Sequence, residues 1–326
     1  MIGPGPNNDI TDIAGLSVGQ VEDEAVRTGV TVVVCEEPGI ASVDVAGGGP
    51  GTRETDALAS GRLVERVDAI CLSGGSAFGL AAADGVSSEL CKDGRGFALF
   101  PTPGVPPTPI VPGAILYDLA NGGDKDWSNA PPYAALGAAA YRKAGEPLRL
   151  GKAGAGYGAQ AGAHPGGTGS ASIVTEEGIT VAALACVNCF GSVYMPGSDA
   201  FWAWPYEIDA EFGGVRPAPD YQMNPGEWGD AKLDGRPLGN TTIAVVATDA
   251  VLSKSQAQRL AVMAQDGLAR AIRPIHAPFD GDVVFALATG NHVLAEPSAY
   301  ALTRLGNLAA DCLTRSIARA VHASRP

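Results

Sequence analysis

Short apolar runs bounded by Gly and Pro recur through the first half of the chain. Thr31 to Cys35 (TVVVC), Ala41 to Val45 and Asp68 to Leu72 (DAICL) are rich in β-branched residues and are predicted strands. The last leads into SGGSAFGLAAADGVSSEL, where apolar residues fall at helical spacing. A strand–turn–helix unit is predicted there, with Ser76 as the helix N-cap. Ala134 to Lys143 is a short Ala-rich helix, and Ser170 to Thr175 with Ile179 to Val187 form a hairpin around Glu176-Glu177-Gly178. Near the end the pattern sharpens. Thr242 to Thr248 is a strand, and Ser253 to Ile272 is a helix with Leu260, Met263, Leu268 and Ile272 near one face. Asp282 to Ala288 is a strand, and Ala301 to Ala323 is a long helix. A β-rich first half followed by β-α-β-α predicts a mixed α/β sandwich, with sheets inside and helices outside.

Two stretches carry neither period. Pro101 to Gly113 holds six prolines, which rules out a helix or a central strand and predicts an extended loop. Residues 195 to 240 carry Pro, Gly, Asp and three of the four tryptophans. An irregular segment of that length inside a compact domain is expected to be functional or mobile.

Composition narrows the function. The 326 residues carry 22 Lys and Arg against 35 Asp and Glu, a formal charge of −13. That balance argues against nucleic-acid and anionic-membrane partners, which are drawn to basic patches. Charged residues are only 17% of the chain, and 44 residues are glycine. Few charges and many small residues predict tight packing and subunit contacts, hence a homo-oligomer. The N-terminal residues MIGPGPNNDI lack the basic start and apolar stretch of a signal peptide. Six cysteines in a chain this long are not a disulfide framework. Together these predict a reducing cytoplasm. Cys186 and Cys189 form C-x-x-C, but no second ligand pair accompanies them, so they read as buried thiols and no metal is predicted.

The usual catalytic signatures are absent. There is no G-x-S-x-G elbow, no phosphate-binding G-x-x-x-x-G-K-[ST] and no H-E-x-x-H. Gly154, Gly156 and Gly158 lie in KAGAGYGAQAG, out of register for a dinucleotide turn, and read as points of close backbone approach. No cofactor is predicted. His164, His276, His292 and His322 have no partner at meaningful spacing and read as structural.

Three local features carry candidate chemistry. In LGNTTIAVVATDA, residues 238 to 250, the irregular segment stops at Asn240-Thr241-Thr242 and a strand begins. Plain turn chemistry accounts for that. So does a second reading, in which Thr241 becomes a new chain start. Its hydroxyl then serves as nucleophile and its own α-amine as base. Phe279-Asp280-Gly281-Asp282 reads as a tight turn, or as an acidic pair that orients such an amine or holds a substrate ammonium. Asn188, ending the strand VAALACV, reads as a turn residue or as a donor to an oxyanion.

Taken with ITDIAGLSVGQ, CLSGGSAFGLAAADGV, IVPGAILYDLANGG, GGTGSAS and FDGDVVFALATG, these residues make the chain resemble the self-cleaving L-aminopeptidase/D-esterase (DmpA-like) family. Relatives include β-aminopeptidases and nylon-oligomer hydrolases. The resemblance implies a four-layer αββα sandwich of the N-terminal-nucleophile type, shared with ornithine acetyltransferases. It also implies an inactive precursor that cuts itself between Asn240 and Thr241. Residues 1–240 and 241–326 then stay together as a large and a small chain, assembling further, as tetramers of such pairs. By the same resemblance Thr241 is the nucleophile, Asn188 sits at the oxyanion, and Asp280 and Asp282 are the two polar partners. Tyr117, in ILYDL, lines the site. The chain departs from some relatives in having no Lys in Gln160 to Pro165, the nearest in sequence being Lys152 and Lys143. It also uses Thr where many aminopeptidase relatives use Ser.

The expectation is an amidohydrolase acting on small peptides, amino-acid amides or short amide oligomers through an ester on Thr241. The acidic pair is expected to favour substrates with a free amine. The rivals are an acyltransferase of the ornithine-acetyltransferase type, which needs an amine acceptor, and an uncleaved member with a binding role.

Overall fold

The computed structural model describes residues 2–233, 239–296 and 298–325. In chain order the strands and helices are β1 (Leu16–Asp23), β2 (Thr28–Val45), β3 (Thr52–Arg53), β4 (Arg66–Ser73), α1 (Ala82–Lys92), β5 (Gly113–Ile115) and α2 (Tyr133–Arg142). They continue with β6 (Gln160–Ala161), β7 (His164–Pro165), β8 (Gly167–Val174), β9 (Thr180–Asn188), β10 (Thr241–Ala250), α3 (Lys254–Ala271), β11 (Val283–His292) and α4 (Ser298–His322).

The two inner layers are halves of one sheet. Its order is β3-β5-β4-β2-β11-β10-β9-β8, with β1 added on β2. The hinge is β2, where the sequence predicts two separate strands and the structure has one of 18 residues. Its first part, Thr28 to Cys35, pairs with β1, and its last part, Ile40 to Val45, pairs with β11. The register against β4 slips between Val34 and Gly39, around Pro38, so the strand bends there and carries the sheet from one layer into the other.

Alternation along the strands then sorts side chains into three cores. Val33, Ile70 and Leu72 of one half meet Leu184, Val245 and Phe285 of the other between the layers. The opposite face of β10, Ala244 and Val246, packs under α3 and α4 with Leu260, Leu268 and Leu313. Val30, Val32 and Val34 face α1 and α2 with Val86, Leu90 and Leu136. The order of layers is therefore helix, sheet, sheet, helix, as expected.

Local chemistry explains the element ends. Ser253 accepts from Gln256 N while the Gln256 side chain returns to the Ser253 backbone, a capping box that starts α3. Ser76 does not cap α1. It sits at φ +52° and opens a 3-10 turn (Ser76–Ala81), and α1 follows Ala81 without a side-chain cap. Gly75 before it also takes the left-handed backbone, at φ +85°, so the chain enters α1 already coiled. The glycines of KAGAGYGAQAG are places of close approach: a Cβ on Gly156 would overlap the backbone of Gly167 and Thr168.

The irregular segment is not loose along most of its length. Phe201, Ala203 and Phe212 belong to the core under α4. Glu211 forms a fork with Arg315 of α4, at 2.5 Å to Nε and 2.9 Å to Nη2. Arg315 is 1% exposed and also donates to Ser172 O and Asn8 Oδ1. Further along, Asp230 O accepts from Ala163 N at 2.7 Å, and Lys232 N donates to Phe190 O at 3.0 Å. Residues 234–238, which belong to the predicted detaching end, lie outside the described residues.

Candidate active site

Thr241 is the first residue of β10, a strand held between β9 and β11. Its Cα partner on β9 is Asn188, and Asn240 bridges to Asp280 just before β11. The sheet register thus brings together residues about 40 to 50 positions apart in sequence: Asn188, the Asn240–Thr241 bond and the Asp280–Asp282 turn. Thr241 is 3% exposed.

The peptide bond before Thr241 is gripped on its oxygen. Asn240 O accepts from Gly281 N at 3.0 Å, and the Thr241 hydroxyl donates to the same oxygen. The nucleophile candidate is therefore next to the carbonyl it would attack, and a backbone donor already points at the oxygen that would become negative. Gly281 has to be glycine: a Cβ there would stand 2.7 Å from Thr241 Oγ1 and 2.9 Å from Gly49 O. The turn is braced by the Gly47–Gly49 loop, whose Gly49 N donates to Asp280 O at 2.7 Å.

The two carboxylates have separate surroundings. Asp282 accepts from Thr242 N at 2.8 Å through Oδ1, and from His276 N at 3.2 Å and His276 Nδ1 at 2.9 Å through Oδ2. Asp280 accepts from Ala277 N at 2.9 Å through Oδ2, while its Oδ1 is buried with no partner among the described residues. Burial, and secondly the neighbouring charge of Asp282, push Asp280 up to about 6. Both carboxylates are fully buried and neither lines the adjacent cavity. That placement differs from the expected pair facing a substrate ammonium. They brace the turn from behind.

Asn188 is wholly engaged. Its Nδ2 donates to Tyr117 O at 2.9 Å and Gly239 O at 3.1 Å, and its Oδ1 accepts from Gln160 N at 2.9 Å. In the uncut chain it therefore holds the carbonyl one residue upstream of Asn240, and Gly281 supplies the donor at Asn240 itself. Tyr117 lies against Gly239, where a Cβ would overlap the ring. Tyr117, Asn121, Gln160, Gly239 and Asn240 line a cavity of about 610 Å³ beside the bond.

Three contributors escape the sequence reading. His276 is a partner of Asp282, six residues away on a turn that no helical or strand period reveals. Gly281 acts through its backbone, which no motif advertises. Lys232 stands where Gln160 to Pro165 offer no lysine: its Nζ donates to Asn188 O at 3.2 Å and it lines the cavity. Burial holds its ammonium down to about 8, with Cys189 and Asp280 pulling the other way. Its signal was a lone lysine in a segment with no period. Cys186 and Cys189 are buried thiols pushed up to about 12 by burial, and among the described residues no cluster could hold a metal ion. No described helix is long and apolar enough to cross a membrane.

Comparison with known proteins identifies the family and the fold. The model of peptidase family S58 matches residues 8–326. An uncharacterized aminopeptidase of Mycobacterium tuberculosis is 42% identical, over 98% of this chain and 95% of its own length. A 6-aminohexanoate-oligomer endohydrolase of a Kocuria species is 31% identical, over 85% of this chain and 74% of its own. Among solved structures, the L-aminopeptidase D-Ala-esterase/amidase of Ochrobactrum anthropi, described as a variant of the Ntn-hydrolase fold, superposes with a TM-score of 0.71. It is 22% identical and covers 99% of this chain and 88% of that one, which establishes a shared fold.

Proposed function

The chain belongs to peptidase family S58, and on that footing we propose that it cuts itself between Asn240 and Thr241 and hydrolyses small peptides or amides with the terminus so formed. It is a self-processing amidohydrolase of the N-terminal-nucleophile type. The observation that carries the site assignment is the double grip on Asn240 O, by the Thr241 hydroxyl and Gly281 N–H.

In the first step Thr241 Oγ attacks the Asn240 carbonyl carbon. The C–O bond forms, the C–N bond breaks, and the hydroxyl proton passes through a base to the departing nitrogen. We assign that role to Asp280, buried beside Gly281 with one oxygen unpartnered; it makes no hydrogen bond to the Thr241 hydroxyl in the uncut chain and has to swing from its bracing position to take the proton. Water then hydrolyses the ester, leaving a carboxylate on Asn240, the Thr241 hydroxyl and a free α-amine. In substrate turnover that amine takes over as base. When Gly239 moves away, one N–H of Asn188 Nδ2 becomes free for the substrate carbonyl, beside Gly281 N–H. Asp282 holds β10 in register through Thr242 N, and His276 orients Asp282.

Assembly of the cut pairs into a homo-oligomer is part of the same reading. It is supported by the low charge content and by the exposed Leu99 and Phe100, just before the proline-rich loop, and Val105 within it. The deciding experiment is an intact mass spectrum under denaturing conditions. Cleavage at this bond divides 33.0 kDa in proportion to 240 and 86 residues, giving roughly 24 and 9 kDa as a size bound, the lighter starting at Thr241. Thr241→Ala is expected to stay at full mass and to hydrolyse nothing. A cut, active Thr241→Ala protein would remove Thr241 from the mechanism.

A further inference from the structure

We propose that the cavity beside Thr241 selects substrates bearing a free carboxylate, gripped by Arg27 and Lys232. This rests on Thr241 being the nucleophile and adds the class of substrate it acts on.

The argument begins with charge. The chain is acidic, with 35 carboxylate residues against 22 Lys and Arg. Yet the charged residues lining this cavity, among those described, are both cations: Arg27 and Lys232. The acids nearest the reacting bond are not part of this wall, and Asp280 acts on Lys232 only from behind it. Asp280 and Asp282 are fully buried behind the Gly281 turn, and Asp282 has both oxygens occupied.

The two cations are placed differently and complement each other. Lys232 is fixed by its own backbone bond to Phe190 O and by one side-chain bond to Asn188 O, so two ammonium protons have no protein acceptor among the described residues. A carboxylate beside it would favour its charged form, which burial disfavours. Arg27 sits in the turn between β1 and β2 at φ +58°, with its side chain running over Gly122. It makes no ion pair or side-chain hydrogen bond among the described residues. Its planar fork suits a carboxylate taken through two oxygens, which an ammonium alone does not provide. The rest of the lining, among the described residues, is neutral, with Tyr117, Asn121 and Gln160 offering hydrogen bonds. A substrate carrying only an ammonium would meet two like charges here.

The carboxylate has two natural sources: the free C-terminus of a short peptide, or the acidic side chain of the residue being released. Matched pairs separate them. The processed protein is assayed on Ala-Ala against its C-terminal amide, and on Asp-Ala amide against Asn-Ala amide. The acid member of one pair is expected to exceed its neutral partner in kcat/KM by at least about tenfold, mainly through KM. That preference should shrink as ionic strength rises. Arg27→Gln should collapse the ratio and Arg27→Lys should restore part of it, because Arg27 is exposed and its replacement leaves the core intact.

Binding to the processed protein, by calorimetry, of N-acetyl-L-alanine against its amide, and of the α-amide of N-acetyl-L-aspartate against that of N-acetyl-L-asparagine, supplies a readout independent of turnover. Ratios near one in both substrate pairs, with equal binding within both ligand pairs, overturn the proposal while leaving the nucleophile assignment untouched. Tighter binding of the acid member of either ligand pair, lost in Arg27→Gln, sustains it even if neither substrate is hydrolysed. Failure to hydrolyse would count against the proposed function instead.

Discussion

Gly281 N lies 3.0 Å from Asn240 O, the oxygen of the bond that the adjacent Thr241 hydroxyl also contacts. The donor comes from the turn before β11 and the nucleophile from the start of β10, and both are aligned before any bond is cut. Gly281→Ala should place a methyl against Thr241 Oγ1 and disturb both. Self-cleavage is expected to slow by about a hundredfold, since an error of about 1 Å in a reacting group has that scale. The check is the time course of intact chain on a denaturing gel. A wild-type half-life would show that this oxygen is stabilised from elsewhere.

With Asp280 as the proposed base, self-cleavage should depend on pH. Its carboxyl titrates at about 6 against an ordinary 3.8, and a base must be ionised to act. The rate should rise through pH 6 and level off above it, and Asp280→Asn should stay uncut at every pH. The sign for stability is opposite. The folded chain binds this proton more tightly than the unfolded chain, so the contribution is full below pH 3.8 and lost as pH rises through about 6. In an uncut Thr241→Ala background, Asp280→Asn should gain about 2 kcal/mol at pH 8 relative to pH 4. Urea midpoints at the two pH values test it.

Gly239 and Tyr117 make a test of packing. Gly239→Ala drives a methyl into the Tyr117 ring and should cost about 1–3 kcal/mol. Adding Tyr117→Ala opens the space, so the double variant should recover part of that loss. A purely additive pair, measured by chemical unfolding, would mean that the two do not press on each other.

The Glu211 fork joins the proposed large and small chains. Glu211→Ala leaves Arg315 buried without its carboxylate, and removing one partner of such a pair costs about 3–5 kcal/mol. Thermal unfolding of the uncut Thr241→Ala background should show a large drop. In the cut protein the small chain should dissociate more readily, a result that gel filtration under mild denaturant reads directly.

Much of this was legible in residue patterns, and the limits have physical causes. β9 to β11 announce themselves as apolar runs buried on both faces, β8 by the turn it shares with β9, and α3 and α4 by one apolar face with a clear period. Asn240-Thr241 is visible because an irregular segment ends there against a strand. The continuity of β2 through Pro38 was not visible, because a bent strand and two strands share the same local pattern. The partners of Asp282 and Asn188 were hidden for another reason. His276 and Lys232 meet them through turns and long-range register, which spacing along the chain does not encode. The side-chain role of Ser76 failed because the left-handed turn beginning at Gly75 had already settled the backbone.

Within the sheet, β10 and β11 of residues 241–326 lie between β9 and β2 of residues 1–240. A molecule supplied as two separate polypeptides would thus start with a parallel two-stranded insert lacking both neighbours and a frame with a gap in its middle. Each would present bare strand edges, the surfaces most prone to pair with the wrong chain. With cleavage after Asn240, as proposed, synthesis as one continuous polypeptide would set the order of events: the insert is threaded into its frame while still tethered, and the tether would be severed only once the gap is filled. The covalent link between the halves would then act as an assembly jig, needed for building and dispensable afterwards.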